Sequence, residues 1–332
     1  MPGIFLGVDV GGTTTAAGLV TAEGEVLVEE QASTHGGGAG GALETITALI
    51  ASLREPAAAR RVTVAGVGVG VPGIVDPTTG RIGEGHHVPE LTGVALASVL
   101  RERLGAPVFV DNDVNALALG EWTFGVARAA RSLVLLAPGT GFGAAVILDG
   151  RLVRGAAGFG GELGHAPVKF DGPPCWCGGR GCLALYASGR GIAEAARAHA
   201  MSPEGAGLVA AAGGEPGAID APLVFRLAAA GDAAAGAIVD DACRALGAMI
   251  AIVVNGLNPE MVVVTGGVAA AFAALGRRVL AAAADHAFAR ALGGTAIRFV
   301  PGDKRVTMRG AAALAIYETG GAGRTPRTPP FG

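Results

Sequence analysis

One histidine and three cysteines fall close together in the middle of the chain: His165, Cys175, Cys177 and Cys182. Imidazole and thiolate are borderline-soft ligands, and four of them satisfy tetrahedral Zn²⁺ with no position left open. A closed set suits a structural ion and not a Lewis acid. Gly178-Gly179-Arg180-Gly181 separates the last two cysteines and supplies the kind of turn a metal loop needs. The alternative is a core histidine beside three free thiols. The chain starts Met1-Pro2-Gly3-Ile4-Phe5-Leu6, without the basic stretch and apolar run of a leader, so a cytoplasmic location is expected. There, clustered cysteines favour metal over disulfides. Cys243 lies in an apolar helical pattern and reads as inert core.

A second chemistry is written in glycine and threonine. Asp9-Val10-Gly11-Gly12-Thr13-Thr14 places bare backbone N–H groups and hydroxyls at the end of an apolar run, where an anion could be cradled. Gly139-Thr140-Gly141 repeats the device, and Val264-Thr265-Gly266-Gly267 ends another run in a glycine pair. Each loop alone is compatible with a tight hairpin turn. No Gly-Lys-Ser/Thr occurs, which excludes a Walker-type site, and the Rossmann glycine fingerprint is not met at the first strand. Asn112-Asp113, just before a helical pattern, reads first as a helix cap and offers, as the alternative, a carboxylate for acid–base work.

The elements that must hold these residues alternate. Strands are expected at residues 4–10, 16–20, 25–29, 62–69, 108–110, 133–137, 143–148, 261–265 and 296–300. Helices are expected near 42–53 and 95–104, from 114, over 233–254, and from about 310. Such alternation means α/β layers with parallel strand pairs. Residues 8–24 and 135–150 both read strand, Gly-Thr turn, strand, acidic-Gly turn, which suggests two related halves. Residues 33–41 and 319–332, rich in Gly, read as linking or mobile segments.

Composition narrows the classes. Of 332 residues 51% are hydrophobic, much of it Ala and Gly, and no uninterrupted apolar run is long enough for a membrane span. A net charge of −3, spread along the chain, gives no electrostatic case for nucleic acid.

Three Gly loops in this order, with Asp9 ending the first strand, resemble the two phosphate loops and the adenosine loop of the actin/hexokinase superfamily. The run from Gly155 to Leu183, with Gly161-Glu162-Leu163-Gly164-His165 and then Cys175-Trp176-Cys177-Gly178-Gly179-Arg180-Gly181-Cys182, resembles the signature of the ROK family (repressors, open reading frames and kinases). Val71-Pro72-Gly73-Ile74-Val75-Asp76, Asn112-Asp113 and Tyr186-Ala187-Ser188-Gly189 match as well, and the resemblance extends to about residue 318. It implies a two-domain actin-like ATPase (ribonuclease H-like) α/β fold. The expected partition is residues 1–113 plus 305–320 as a small domain, 114–304 as a larger one, and 321–332 as a tail.

The resemblance also implies a function: an ATP-dependent kinase, glucokinase-like, phosphorylating the primary hydroxyl of a hexose or cyclitol. Asp113 would be the general base. Asn112, Glu162 and His165 would bind the sugar. Asp9, Gly11, Gly12, Thr13, Thr14, Gly139, Thr140, Gly141, Gly266 and Gly267 would hold the nucleotide, with Asp9 helping to hold Mg²⁺. His165, Cys175, Cys177 and Cys182 would ligate structural zinc, His165 giving its other ring N–H to the sugar. A homo-oligomer, dimer or tetramer, is implied by the family alone. Repressors of the family carry a DNA-binding segment before the sugar domain. With the first strand starting at Ile4, catalysis is expected over the alternative of a sugar-binding regulator without catalysis.

Three departures point at the acceptor. The family's glucokinases carry Glu two residues after the last cysteine, where this chain has Ala184; they carry Asn-Leu and Trp in the region of residues 86–94, and Lys at position 14, where this chain has Thr14. The phosphate and zinc elements are thus kept while the acceptor pocket is altered, which fits a modified hexose or a cyclitol lacking the usual anomeric hydroxyl.

Overall fold

A computed structural model describes residues 3–36, 41–85, 87–302 and 304–320. The expected tail from 321 and residues 37–40 of the Gly-rich segment lie outside these.

Ile4–Val10 (β1) turns back through Thr14–Thr21 (β2) and Val26–Ser33 (β3) as an antiparallel meander. Helices Gly41–Ser52 (α1) and Arg54–Ala59 (α2) lead to Val64–Val71 (β4), parallel to β1. The short pair Ile74–Val75 (β5) and Ile82–Glu84 (β6) and helix Leu96–Leu104 (α3) precede Val108–Asn112 (β7), parallel to β4. The sheet order is β3-β2-β1-β4-β7.

Alternation along β1 sorts the two faces. Ile4, Leu6, Val8 and Val10 join Ile46 and Leu49 of α1 and Leu96 and Leu100 of α3 in one core. Phe5 faces the other way, into a cluster with Met308, Ala312 and Ala315 of the C-terminal helix Lys304–Thr319. That helix begins well before the residue 310 expected from the sequence. It lies so close to the sheet that a Cβ on Gly7 would sit 2.2 Å from the carbonyl oxygen of Met308, and one on Gly68 1.8 Å from that of Ala311.

Asp113–Thr123 (α4) follows β7 directly. Leu133–Pro138 (β8), Phe142–Leu148 (β9), Arg151–Leu152 (β10), Met261–Val264 (β11) and Ala296–Phe299 (β12) form the second sheet, ordered β10-β9-β8-β11-β12. Before β11 come Ala184–Ala187 (α5), Gly189–His199 (α6), Ala206–Ala211 (α7), Ala221–Ala229 (α8) and the long Ala233–Leu257 (α9). Ala269–Ala274 (α10), Gly276–Ala284 (α11) and Ala289–Gly294 (α12) lie between β11 and β12, so the C-terminal helix is α13. Both expected Gly-Thr hairpins, β1–β2 and β8–β9, are present.

Packing divides the chain into two units: described residues within Met1–Leu133, Ala145–Gly161 and Asp303–Gly332, and those within Val134–Ala144 and Glu162–Gly302. The expected break at residues 113/114 falls elsewhere. α4 stays in the first unit because it packs on α13, where Gly120 and Gly310 let the two backbones meet: a Cβ on Gly310 would lie 2.5 Å from the oxygen of Ala116.

Candidate active site

In the first unit the β1–β2 loop is held from several sides. Gly11 N–H donates to the Thr14 oxygen (3.0 Å), and Thr34 N–H to the Thr13 oxygen (2.9 Å). The Thr34 hydroxyl donates to the Gly11 oxygen at 2.7 Å. His35 places Nε2 2.9 Å from the Gly12 oxygen and Nδ1 2.8 Å from Glu90 Oε1. The ring thus bridges the Gly12 carbonyl and the Glu90 carboxylate. Against the opposing pull of burial, hydrogen bonds from its own N–H and from His35 hold Glu90 below the usual carboxylate range. Residues 33–36 are therefore a clamp on the first loop and not a loose link. Composition hid this, since the two residues that matter stand beside a run of glycines.

Asp9, the penultimate residue of β1, lies on the α13 face, where the Thr307 hydroxyl donates to its Oδ2 at 2.6 Å. Burial raises its pKa, with the Thr307 bond pulling the other way. A carboxylate kept from full solvation fits a cation, which relieves the cost of charge.

At the β7–α4 junction Asn112 is the N-cap: its Oδ1 accepts from Val114 N–H (2.9 Å) and Asn115 N–H (3.3 Å). Its Nδ2 donates to the Gly73 oxygen at 3.0 Å, leaving one amide N–H for a ligand. Asp113 is the first helical residue, with Oδ1 2.9 Å from Val114 N. Beneath the pair lies Asp111, which the sequence reading passed over. It is 3% exposed, and its Oδ1 accepts from Asn112 N–H and from Asn115 Nδ2, both at 2.8 Å. Its Oδ2 takes Arg154 Nε at 2.6 Å, and Arg154 NH2 reaches Glu318 at 2.5 Å. Burial alone would lower the Arg154 pKa, yet the two carboxylates hold it above its ordinary value.

In the second unit the sulfur and nitrogen atoms of His165, Cys175, Cys177 and Cys182 all lie within 4.8 Å of one another. Cys175 Sγ is 3.6 Å from His165 Nδ1 and Cys177 Sγ 3.7 Å from Cys182 Sγ. Zinc bonds of about 2.0–2.3 Å give tetrahedral edges of about 3.3–3.8 Å, which these two separations match, and one imidazole with three thiols is a donor set chemically suited to the ion. The loop bends as its glycines permit, with φ of +91° at Gly178 and +62° at Gly181. All four cysteines are free. Burial pushes the Cys182 thiol up to about 12, and the N–H of Gly179 pulls Cys177 down. Burial likewise pushes Cys243 up to about 11, as expected of an inert core thiol. Glu162 precedes the turn Leu163–His165, whose His165 N–H donates to the Glu162 oxygen (3.0 Å).

The Gly139-Thr140-Gly141 loop is tied to the start of α6: Gly189 N–H donates to the Gly139 oxygen (2.8 Å) and Arg190 N–H to that of Thr140 (3.0 Å). The Arg190 guanidinium lies 4.4 Å over the Trp176 ring, and Trp176 meets His165 edge-on at 6.1 Å. Ring and guanidinium thus connect the cysteine loop to the Gly139-Thr140-Gly141 loop. The sequence held no signal for this link, because Trp176 and Arg190 meet only through the fold. Gly266, at φ +120°, and Gly267 follow β11; Val268 N–H closes onto the Pro138 oxygen at 2.9 Å.

A family model for the ROK family matches residues 5–318. The chain belongs to the ROK family. Among curated relatives of this ROK protein, a glucokinase of Thermotoga maritima is 35% identical over 80% of this chain and 83% of its own. A xylose repressor of Caldicellulosiruptor bescii is 31% identical over 79% of this chain and 65% of its own. A ROK hexokinase from Thermus thermophilus superposes with TM-score 0.81 at 31% identity, covering 96% of this chain and 99% of its own. A ROK glucokinase from Streptomyces griseus, in complex with glucose and AMPPNP, gives 0.70 at 32%, covering 94% and 99%. The fold is the two-domain actin-like α/β fold of the hexokinase superfamily.

Proposed function

We propose that this ROK protein is an ATP-dependent kinase that phosphorylates the primary hydroxyl of a hexose or a hexose-like cyclitol. The observation that carries the reading is Asp113, placed at the start of α4 on a junction fixed by the Asn112 cap and the buried Asp111–Arg154 pair. Glucokinases among the relatives, and a structural neighbour crystallised with glucose and AMPPNP, support it.

In this reading Asp113 accepts the proton of the sugar hydroxyl as that oxygen attacks the γ-phosphorus and the bond to the ADP oxygen breaks. Little covalent help is needed, so positioning and charge neutralisation do most. Asn112 offers its remaining amide N–H to the sugar, Glu162 accepts from a hydroxyl, and His165 donates from Nε2 while Nδ1 faces the sulfurs. Backbone N–H groups of Gly11–Thr14, Gly139–Gly141 and Gly266–Gly267 receive the nucleotide. Asp9 would help hold Mg²⁺, which neutralises phosphate charge when bound. His165 and the three cysteines would hold zinc, which keeps the ring oriented.

The xylose repressors among the relatives favour a second reading, a sugar-binding regulator without catalysis. One experiment separates them: ADP release with ATP, Mg²⁺ and a panel of hexoses and cyclitols. The kinase reading expects turnover with at least one acceptor, and a drop of about 10²–10⁴-fold in Asp113→Ala with sugar binding retained. Sugar binding with no ADP release from any acceptor would establish the regulator.

A further inference from the structure

Apart from the proposed catalytic residues, the first unit holds an open cavity of about 450 Å³. Its wall carries three guanidinium groups, Arg81, Arg101 and Arg154, and one carboxylate, Glu318; Arg154 pairs Glu318 and Asp111, and the Asp76 carboxylate acts on Arg81 from outside the lining. Arg81 bonds the Gly93 oxygen through NH1, and Arg101 the Val108 oxygen through NH2 at 3.1 Å. Each guanidinium has five N–H donors, so both keep donors for a ligand. Thr78 and Ser98 add hydroxyls. Thr79 does not, since its hydroxyl donates to Asp76, whose Oδ1 is also taken by the N–H groups of Thr78 and Thr79.

Planar guanidinium forks with spare donors match phosphate oxygens bidentately, and more than one of them suits a dianion. The volume exceeds what a bare anion fills and falls within the ~300–1,000 Å³ of small-molecule sites. Half-buried Phe109 and Val110 supply a surface for a carbon skeleton. Arg154 is shared: the same side chain that lines this cavity holds Asp111, and Asp111 holds the Asn112 backbone.

We propose that this cavity is a second binding site for a phosphate dianion, carried as a monoester on a small polyol or free, and that its occupant competes with Asp111 for Arg154. Loosening Asp111 displaces Asn112–Asp113 and slows transfer, so a phosphorylated product class would restrain the enzyme from a site outside its acceptor pocket. The binding half stands without the kinase reading; the regulatory half rests on it.

Calorimetric titration of the full chain, with AMPPNP and glucose present, tests the binding half, using glucose 6-phosphate and inorganic phosphate as probes. Glucose 6-phosphate should bind, and R81Q/R101Q and, separately, Ser98→Glu should each weaken it about tenfold or more, as loss of charge-assisted bonds or an opposing charge requires. Ser98 is exposed on α3, so its variant leaves folding intact. Tighter binding of the ester identifies a monoester site, and equal binding of inorganic phosphate a free-anion site. No binding of either probe, or unchanged affinity in both variants, overturns the proposal. In turnover assays the bound probe should lower kcat without raising the sugar KM, and S98E should remove the effect. An unaffected kcat overturns the route through Arg154. Absence of any turnover removes the kinase reading, while the calorimetry still decides the cavity.

Discussion

Cys182 shows how one residue carries a measurable consequence. Its thiol, raised to about 12 by burial, is protonated at neutral pH in the metal-free protein, so a zinc ion held as proposed would displace that proton on binding. The sign is fixed: lowering the pH weakens zinc binding, raising it strengthens zinc binding, and at neutral pH binding releases at least one proton. Titration of chelator-stripped protein in two buffers of different ionisation enthalpy reads that release. Identical heats in both would contradict the ligand set, as would purified protein with much less than about one zinc per chain. Ala184 carries the finer question of the acceptor. It is 1% exposed at the first position of α5, so a glutamate there must fit into packed surroundings. Lacking a carboxylate partner, a buried anomeric hydroxyl costs glucose about 1–3 kcal/mol. Ala184→Glu should shift kcat/KM towards glucose and away from a cyclitol. A wild type that already prefers glucose, with no gain in the variant, would refute the altered acceptor.

Among the elements, the decisive arrangement is the start of α6 against the β8–β9 loop. The helix gives its first N–H groups to the Gly139 and Thr140 carbonyls, and Arg190 leans back over Trp176 of the metal loop. A partly exposed cation–π contact is worth about 0.5–1 kcal/mol. Trp176→Ala should therefore raise the KM for ATP about two- to fivefold while zinc content stays at one per chain. An unchanged KM would mean that the cysteine loop and the Gly139-Thr140-Gly141 loop are independent. The same scale separates what was readable from what was not. Strands β1, β4, β8 and β9 were evident because apolar runs ending in glycine loops have few other solutions. The helices between residues 184 and 229 were missed, since Ala-rich stretches broken by Gly and Pro carry a weak period.

For the whole molecule, α13 is the test. It closes the first sheet by backbone contact, which only glycine on the sheet face allows. Gly68→Ala would press a methyl group onto the Ala311 carbonyl, and overpacking of this kind costs about 1–3 kcal/mol. Gly66→Ala, two residues earlier on the same strand, meets only ordinary contacts at 3.5 Å and should be near neutral. Denaturant midpoints of the two variants measure this. Equal midpoints would show that α13 yields without cost.

Sequence alone determined the chemistry that depends on residue type and short spacing. The His165–Cys175–Cys177–Cys182 cluster could be read because three cysteines lie within one loop and a histidine ten residues before the first of them. The Gly turns after β1 and β8 and the Asn112 cap before α4 could be read because glycine after a strand and a short polar side chain before a helix each have few uses. Tertiary structure alone decided the contacts made across long separations. Arg154 reaches Asp111 from 43 residues away and Glu318 from 164, and Thr307 reaches Asp9 from 298. No local pattern encodes such pairs. An arginine in a loop or a threonine in a helix gains its role only when the fold brings a buried carboxylate within hydrogen-bond reach and removes the water that would otherwise satisfy it.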